Sequence, residues 1–312
     1  MAMRYHPEIA HALDRVPAFD PLADPVATRG FLRSLLAAVT PAADPRVAVT
    51  DTVIPGPAGE LPIRIYRPAG AAAGTRPGAL YFHGGAFISG DLDTGDRNCR
   101  DICVAAGAVV VSAGYRLAPE HKYPAALDDC YAALCWTAGS AVELGIDPAR
   151  LAVAGRSAGG TLAAAVALAA RDRGGPPLAF QLLLIPALDD RGTHPSIAQS
   201  ADGRIVDGHV VTGMWQLYLD SAADQYAAPA RAHDLRGLPP AYLQIGQADP
   251  LRDEALEYAQ RLTAADVLTE VHLVPGAFHL FEGYAPASRL ASHATATWTS
   301  AIAAALLPQS SG

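Results

Sequence analysis

The chain has 312 residues, 51% hydrophobic and 17% charged, a balance that excludes a disordered polymer and allows a large buried core. Its formal net charge is −8 and it holds no Lys/Arg run, which argues against a nucleic-acid backbone or an anionic membrane surface as partner. The length fits two domains or one long α/β unit.

Met1 to Glu8 lack the apolar run of a secretory leader. The longest apolar stretch lies within Thr161 to Ala170, far short of the ~20 residues that span a bilayer, and suits a buried helix. The expectation is a soluble, cytoplasmic protein with no stable membrane insertion. Cys99, Cys103, Cys130 and Cys135 form no C-x-x-C pair. All four read as buried, reduced thiols, with a disulfide or zinc site as the alternative.

Residues 1–45 read as helical pieces. Ile9 to Val16 and Ala27 to Val39 have helical spacing, and Pro17, Pro21 and Pro25 break it. From residue 47 the pattern becomes strand, turn, helix. Eight β-like runs recur: Val47 to Ile54, Leu61 to Tyr66, Ala79 to Phe82, Ala108 to Ser112, Leu151 to Ala154, Phe180 to Ile185, Ala241 to Ile245 and Glu270 to Val274. The middle ones are continuously apolar, as for strands covered on both faces. Helical segments run over Arg97 to Ala106, Ala125 to Ala138, Gly159 to Arg171 and Arg252 to Ala265. This alternation predicts an α/β fold with a mostly parallel eight-stranded sheet. Pro55 to Gly59 reads as a hairpin turn that makes the first two strands an antiparallel edge. Some fifty residues, 187–238, separate the sixth and seventh strands. They predict an inserted helical segment that joins residues 1–45 in a cap over a catalytic domain of residues 46–312.

The chemistry concentrates at strand ends. Gly155-Arg156-Ser157-Ala158-Gly159 is a G-x-S-x-G turn between a strand and a helix, the context that exposes a strained nucleophilic hydroxyl. The plainer alternative is a Ser that only caps the helix. His83-Gly84-Gly85-Ala86-Phe87 follows the third strand. Its glycine amides, Gly84 and Gly85, together with that of Ala158, could face a tetrahedral oxyanion. His83 reads as a structural residue that ties this loop. Asp249 sits at the end of the seventh strand, with Asp253 a competitor just inside the next helix. His279 lies past a Pro-Gly turn beyond the eighth strand, whereas His272 is mid-strand and reads as a sheet-face side chain. Ser157, Asp249 and His279 thus follow the order nucleophile, acid, base. Phe87, Met214, Trp215, Tyr218, Phe278 and Phe281 are candidate pocket walls, with plain core packing equally open to each. Tyr115 and Trp136 read as core.

On these motifs the chain resembles the bacterial hormone-sensitive-lipase-like (family IV) carboxylesterases of the α/β-hydrolase superfamily. The most specific pieces are His83 to Gly90, Tyr115-Arg-Leu-Ala-Pro-Glu120 with its continuation to Asp129, Gly155 to Gly160, Asp249 to Glu254 and the His279 loop. The resemblance implies an α/β-hydrolase fold with a helical cap and a serine esterase acting on short- to medium-chain esters. It also implies no metal or organic cofactor, a small-molecule ester as partner, and a homodimer as one option. Arg116, Glu120 and Asp128 would brace the floor of the site. Three residues depart from the family pattern: Ala86 and Leu280 stand where Gly is frequent, and Arg156 where an acid is common. The same three-residue set would also serve an amidase, a lactonase or an acyltransferase, and losing one member would mark a non-catalytic receptor.

Overall fold

The chain enters its sheet through the expected hairpin: β1 (Val47–Gly56) pairs antiparallel with β2 (Gly59–Pro68) across Pro57 and Ala58. The computed structural model describes residues 3–16, 20–39, 44–70, 74–200 and 205–307. Of the expected proline breaks, Pro17 falls outside them. The other strands are β3 (Arg76–Phe82), β4 (Val109–Ala113), β5 (Ile146–Arg156), β6 (Phe180–Leu184), β7 (Ala241–Gly246) and β8 (Thr269–Val274). They form one eight-stranded sheet in the order β1-β2-β4-β3-β5-β6-β7-β8. β2 meets β4 antiparallel, and every pair from β4 to β8 is parallel.

Two helices precede the sheet: α1 (Pro7–Ala10), which tightens into a 3-10 turn over His11–Arg15, and α2 (Pro25–Val39). Within it come α3 (Asp96–Ala106), α4 (Ala125–Gly139), α5 (Ala141–Leu144) and α6 (Ala158–Asp172). Between β6 and β7 lie α7 (Pro195–Gln199), α8 (Gly208–Tyr218) and a 3-10 turn at Pro229–Arg231. α9 (Arg252–Ala264), α10 (Phe281–Tyr284) and α11 (Arg289–Ala305) complete the chain. The sequence pattern did not announce α11. Its buried stripe is Ala291, Ala294, Trp298 and Ile302, and alanines carry half of it, so the apolar periodicity is faint.

Alternation along β3 sorts the core into two layers. Leu80 and Phe82 face the cluster built with α4, α6 and α9, while Ala79 and Tyr81 face α3 and α11. A third cluster joins Ile9, Ala12 and Leu13 to Val274, Phe278 and Phe281, so the N-terminal segment rests on the loop beyond β8. Leu22 lies against Gly213 of α8, where a Cβ would collide with the leucine methyl. Cys99, Cys103 and Cys130 are buried free thiols, but Cys135 is exposed, contrary to expectation, because it falls on the outer face of α4. Among the described residues no helix is long and apolar enough to cross a membrane. None of their His, Cys, Asp and Glu side chains cluster in threes that could hold a metal ion.

Candidate active site

A sharp turn lies between β5 and α6. Ser157 takes φ 55° and ψ −123°, a left-handed φ that non-glycine residues rarely adopt. The flanking glycines make room for it. A Cβ on Gly155 would overlap the Gly159 carbonyl, and one on Gly159 would overlap the carbonyl oxygens of Phe82 and His83. The Ser157 amide donates to Leu184 O at 2.9 Å, which ties the turn to the end of β6. Although Ser157 occupies the N-cap of α6, its side chain makes no cap hydrogen bond. Its Oγ instead lies 3.0 Å from His279 Nε2.

Asp249 Oδ2 sits 2.7 Å from His279 Nδ1. A carboxylate only accepts, so Nδ1 carries the proton and the Nε2 lone pair faces the serine hydroxyl. Asp249 Oδ1 accepts from the Leu251 amide at 2.9 Å, so both carboxylate oxygens are fixed. Asp249 and His279 are 1% and 2% exposed, and Ser157 8%. The competitors are engaged elsewhere. Asp253 accepts from the Ser196 amide and Arg252. His272 packs edge-on against the His293 ring.

The loop after β3 lies beside the elbow. A Cβ on Gly84 would stand 3.5 Å from Ser157 Cβ and 2.9 Å from Arg156 O. Among the described residues no protein acceptor takes the amides of Gly84, Gly85 or Ala158. The turn is tied to itself: Gly85 O accepts from the Ile88 and Ser89 amides and from Ser89 Oγ. Gly85, Ala86 and Phe87 all have positive φ. Leu280, directly after His279, has φ 64°. Ala86 and Leu280 therefore occupy left-handed positions that favour glycine.

His83 is held beneath this loop. Its ring stacks on Tyr115 at 4.2 Å between centroids, and Tyr115 Oη donates to His83 O at 2.7 Å. Its Nδ1 donates to Gly84 O at 2.8 Å. Burial pushes the imidazole down to about 4 from its ordinary 6.5. Between those pH values the unfolded chain binds a proton that the folded protein does not, so stability falls as pH drops through that window. Melting curves from pH 7 to pH 4 are expected to show this fall, with a shallower slope for His83→Asn. Equal slopes would show that His83 contributes nothing to it.

Around the site, Phe87 stacks on Tyr218 at 3.9 Å and tilts against Trp215 at 5.3 Å, with Met214 in the same cluster. Phe278 and Phe281 belong to the separate cluster with Ile9 and Leu13. No hydrogen bond joins Arg116, Glu120 and Asp128, the residues that the resemblance implies for the floor. Arg116 makes a two-pronged contact with Asp129, at 2.8 and 2.9 Å, not with Asp128. Asp128 is half-buried, and that burial raises its carboxyl above the usual range. Glu120 is exposed and bonds Arg29 of α2, which also donates to Ile88 O and Ala118 O. The Arg29 hydrogen bonds to its carboxylate hold Glu120 down at about 2. Sequence reasoning missed Arg29, because an arginine on an amphipathic helix carries no local sign of so distant a partner.

Comparison with known proteins places the chain in a family. A family model described as the alpha/beta hydrolase fold matches residues 79–283. Esterase LipI of Mycobacterium tuberculosis is 45% identical over 256 residues, 80% of each chain. Carboxylesterase NlhH of the same species is 42% identical over 254 residues, 79% of each. Among solved structures, one titled Bacterial Heroin Esterase superposes with a TM-score of 0.94 at 39% identity, covering 98% of this chain and 99% of that one. Esterase LipW from Mycobacterium marinum gives 0.90 at 40% identity, covering 98% and 97%. The chain belongs to the α/β-hydrolase fold family, in its bacterial hormone-sensitive-lipase-like carboxylesterase branch.

Proposed function

We propose that this carboxylic ester hydrolase works as a serine esterase, with Ser157 as nucleophile, His279 as general base and acid, and Asp249 as the residue that orients His279. The observation that carries the reading is the unbroken hydrogen-bond chain from Ser157 Oγ through the imidazole to Asp249. Nε2 takes the serine proton as Oγ attacks the ester carbonyl, and the imidazolium that forms is stabilised by Asp249. The amides of Gly84, Gly85 and Ala158 receive the oxyanion, each such donor being worth roughly 3–4 kcal/mol in the transition state. Collapse expels the alcohol, which takes the proton from His279. Water, deprotonated by the same nitrogen, then releases the acid and restores Ser157.

Short- to medium-chain esters are the proposed substrates, and Phe87, Met214, Trp215 and Tyr218 the proposed walls, supported by their packing beside the oxyanion loop. Residues 1–45 and 187–238 are the proposed cap. In support, Arg29 and Trp215, one from each segment, both contact residues 87–88. The cytoplasmic location and homodimer expected from the sequence belong to this proposal as well. Diethyl p-nitrophenyl phosphate tests the nucleophile. It is expected to leave one diethylphosphoryl group on the Ser157 peptide, with activity falling in proportion. Full inactivation with the adduct elsewhere would overturn the reading.

A further inference from the structure

Beneath the three proposed catalytic residues lies a second buried set that the mechanism does not use. Arg156 stands directly before Ser157 at the end of β5, and its Nη2 donates to Glu282 Oε2 at 2.5 Å. Glu282 sits in α10, three residues after His279, and its Oε1 accepts from Gln244 Nε2 at 2.7 Å. Gln244 is a buried residue of β7, five positions before Asp249. One carboxylate thus ties the strand that presents the nucleophile, the strand that leads to the acid and the turn that follows the base. The side chains of Arg156 and Glu282 are only 13% and 6% exposed.

Two features assign this set a role other than holding the fold together. Buried ion pairs seldom add net stability, because desolvating both charges consumes most of their attraction. The second concerns the base. His279 follows the end of β8, outside any strand ladder, and the left-handed Leu280 leads into the four-residue α10. Asp249 restrains the imidazole from one end, and Glu282 is the polar anchor of the chain on its other side. We infer that Glu282, held by Arg156 and Gln244, is a positioning residue that sets the separation of His279 Nε2 from Ser157 Oγ. This rests on the serine mechanism proposed above.

Arg156 uses one nitrogen for the contact, and its Nε has no partner among the described residues, so a lysine ammonium can substitute. Arg156→Lys is expected to keep kcat within about threefold, whereas Arg156→Met lowers it roughly tenfold with KM within about twofold, as a small misplacement of reacting groups does. The deciding variant is the double Arg156→Met/Glu282→Gln. It leaves no unpaired buried charge and keeps an acceptor for Gln244, so it regains the melting temperature lost in the single variant. If the set positions the base, kcat of the double variant stays about tenfold low. Recovery of full kcat together with the melting temperature would overturn the inference, as would an unchanged kcat in Arg156→Met. Neither result touches the phosphoryl-labelling test, so failure of the serine mechanism is read separately.

Discussion

Ser157→Ala is expected to lower kcat/KM on a p-nitrophenyl ester by about 10⁶-fold, close to the whole contribution of the catalytic set. The size follows from the division of labour at the elbow. Removing Oγ removes the bond-forming atom, and what survives is the residual effect of the oxyanion amides and binding alone. The fold should hardly respond. The turn is secured by the Ser157 backbone, through Leu184 O and the Gly160 amide, and the side chain caps nothing. Thermal melting within a few degrees of the parent should accompany the loss. A purified variant with more than about a hundredth of the parent rate would require another nucleophile.

Asp249→Asn is expected to cost about 10⁴-fold in kcat with little change in KM, by the wrong-tautomer effect. Here the geometry dictates the tautomer. Oδ1 already receives the Leu251 amide, a donor, so the amide oxygen of an asparagine must stay on that side. Its NH₂ then faces His279 Nδ1, which has to accept. The ring proton moves to Nε2, and the atom that should take the serine proton donates instead. Kinetics of this variant against Asp253→Asn separate the two acids of the loop. Asp253 holds the Ser196 amide and Arg252, so its replacement should affect stability more than rate. Comparable losses of kcat in both variants would contradict the assignment.

The parts of this molecule that sequence makes legible are those with a local physical cause. The inner strands β4, β6 and β7 are short, buried, largely apolar runs, the hairpin is bounded by Pro and Gly, and the turn at Ser157 needs Gly155 and Gly159 because no Cβ fits there. The order of Ser157, Asp249 and His279 places three polar groups on one rim, because parallel strands bring their carboxyl ends together. What was not legible depends on distant pairings. Asp128 and Asp129 are adjacent acids on one helix. Only packing of α4 against the sheet decides that Asp129, and not Asp128, meets Arg116. The sign for Glu282 was present but incomplete. An arginine where an acid is common calls for a nearby carboxylate, yet nothing local says it stands 126 residues downstream. α11 was overlooked because alanine gives a helical stripe little contrast.

The seating of Leu22 on Gly213 bears on how the proposed cap is put together. The space at Gly213 is filled by the leucine methyl, so the N-terminal segment and α8 are keyed to one another as well as to the oxyanion loop. Neither would swing aside alone without pulling a leucine out of its socket. In the proposed cap the two segments therefore form one interlocked unit, with Leu22 as the key between them.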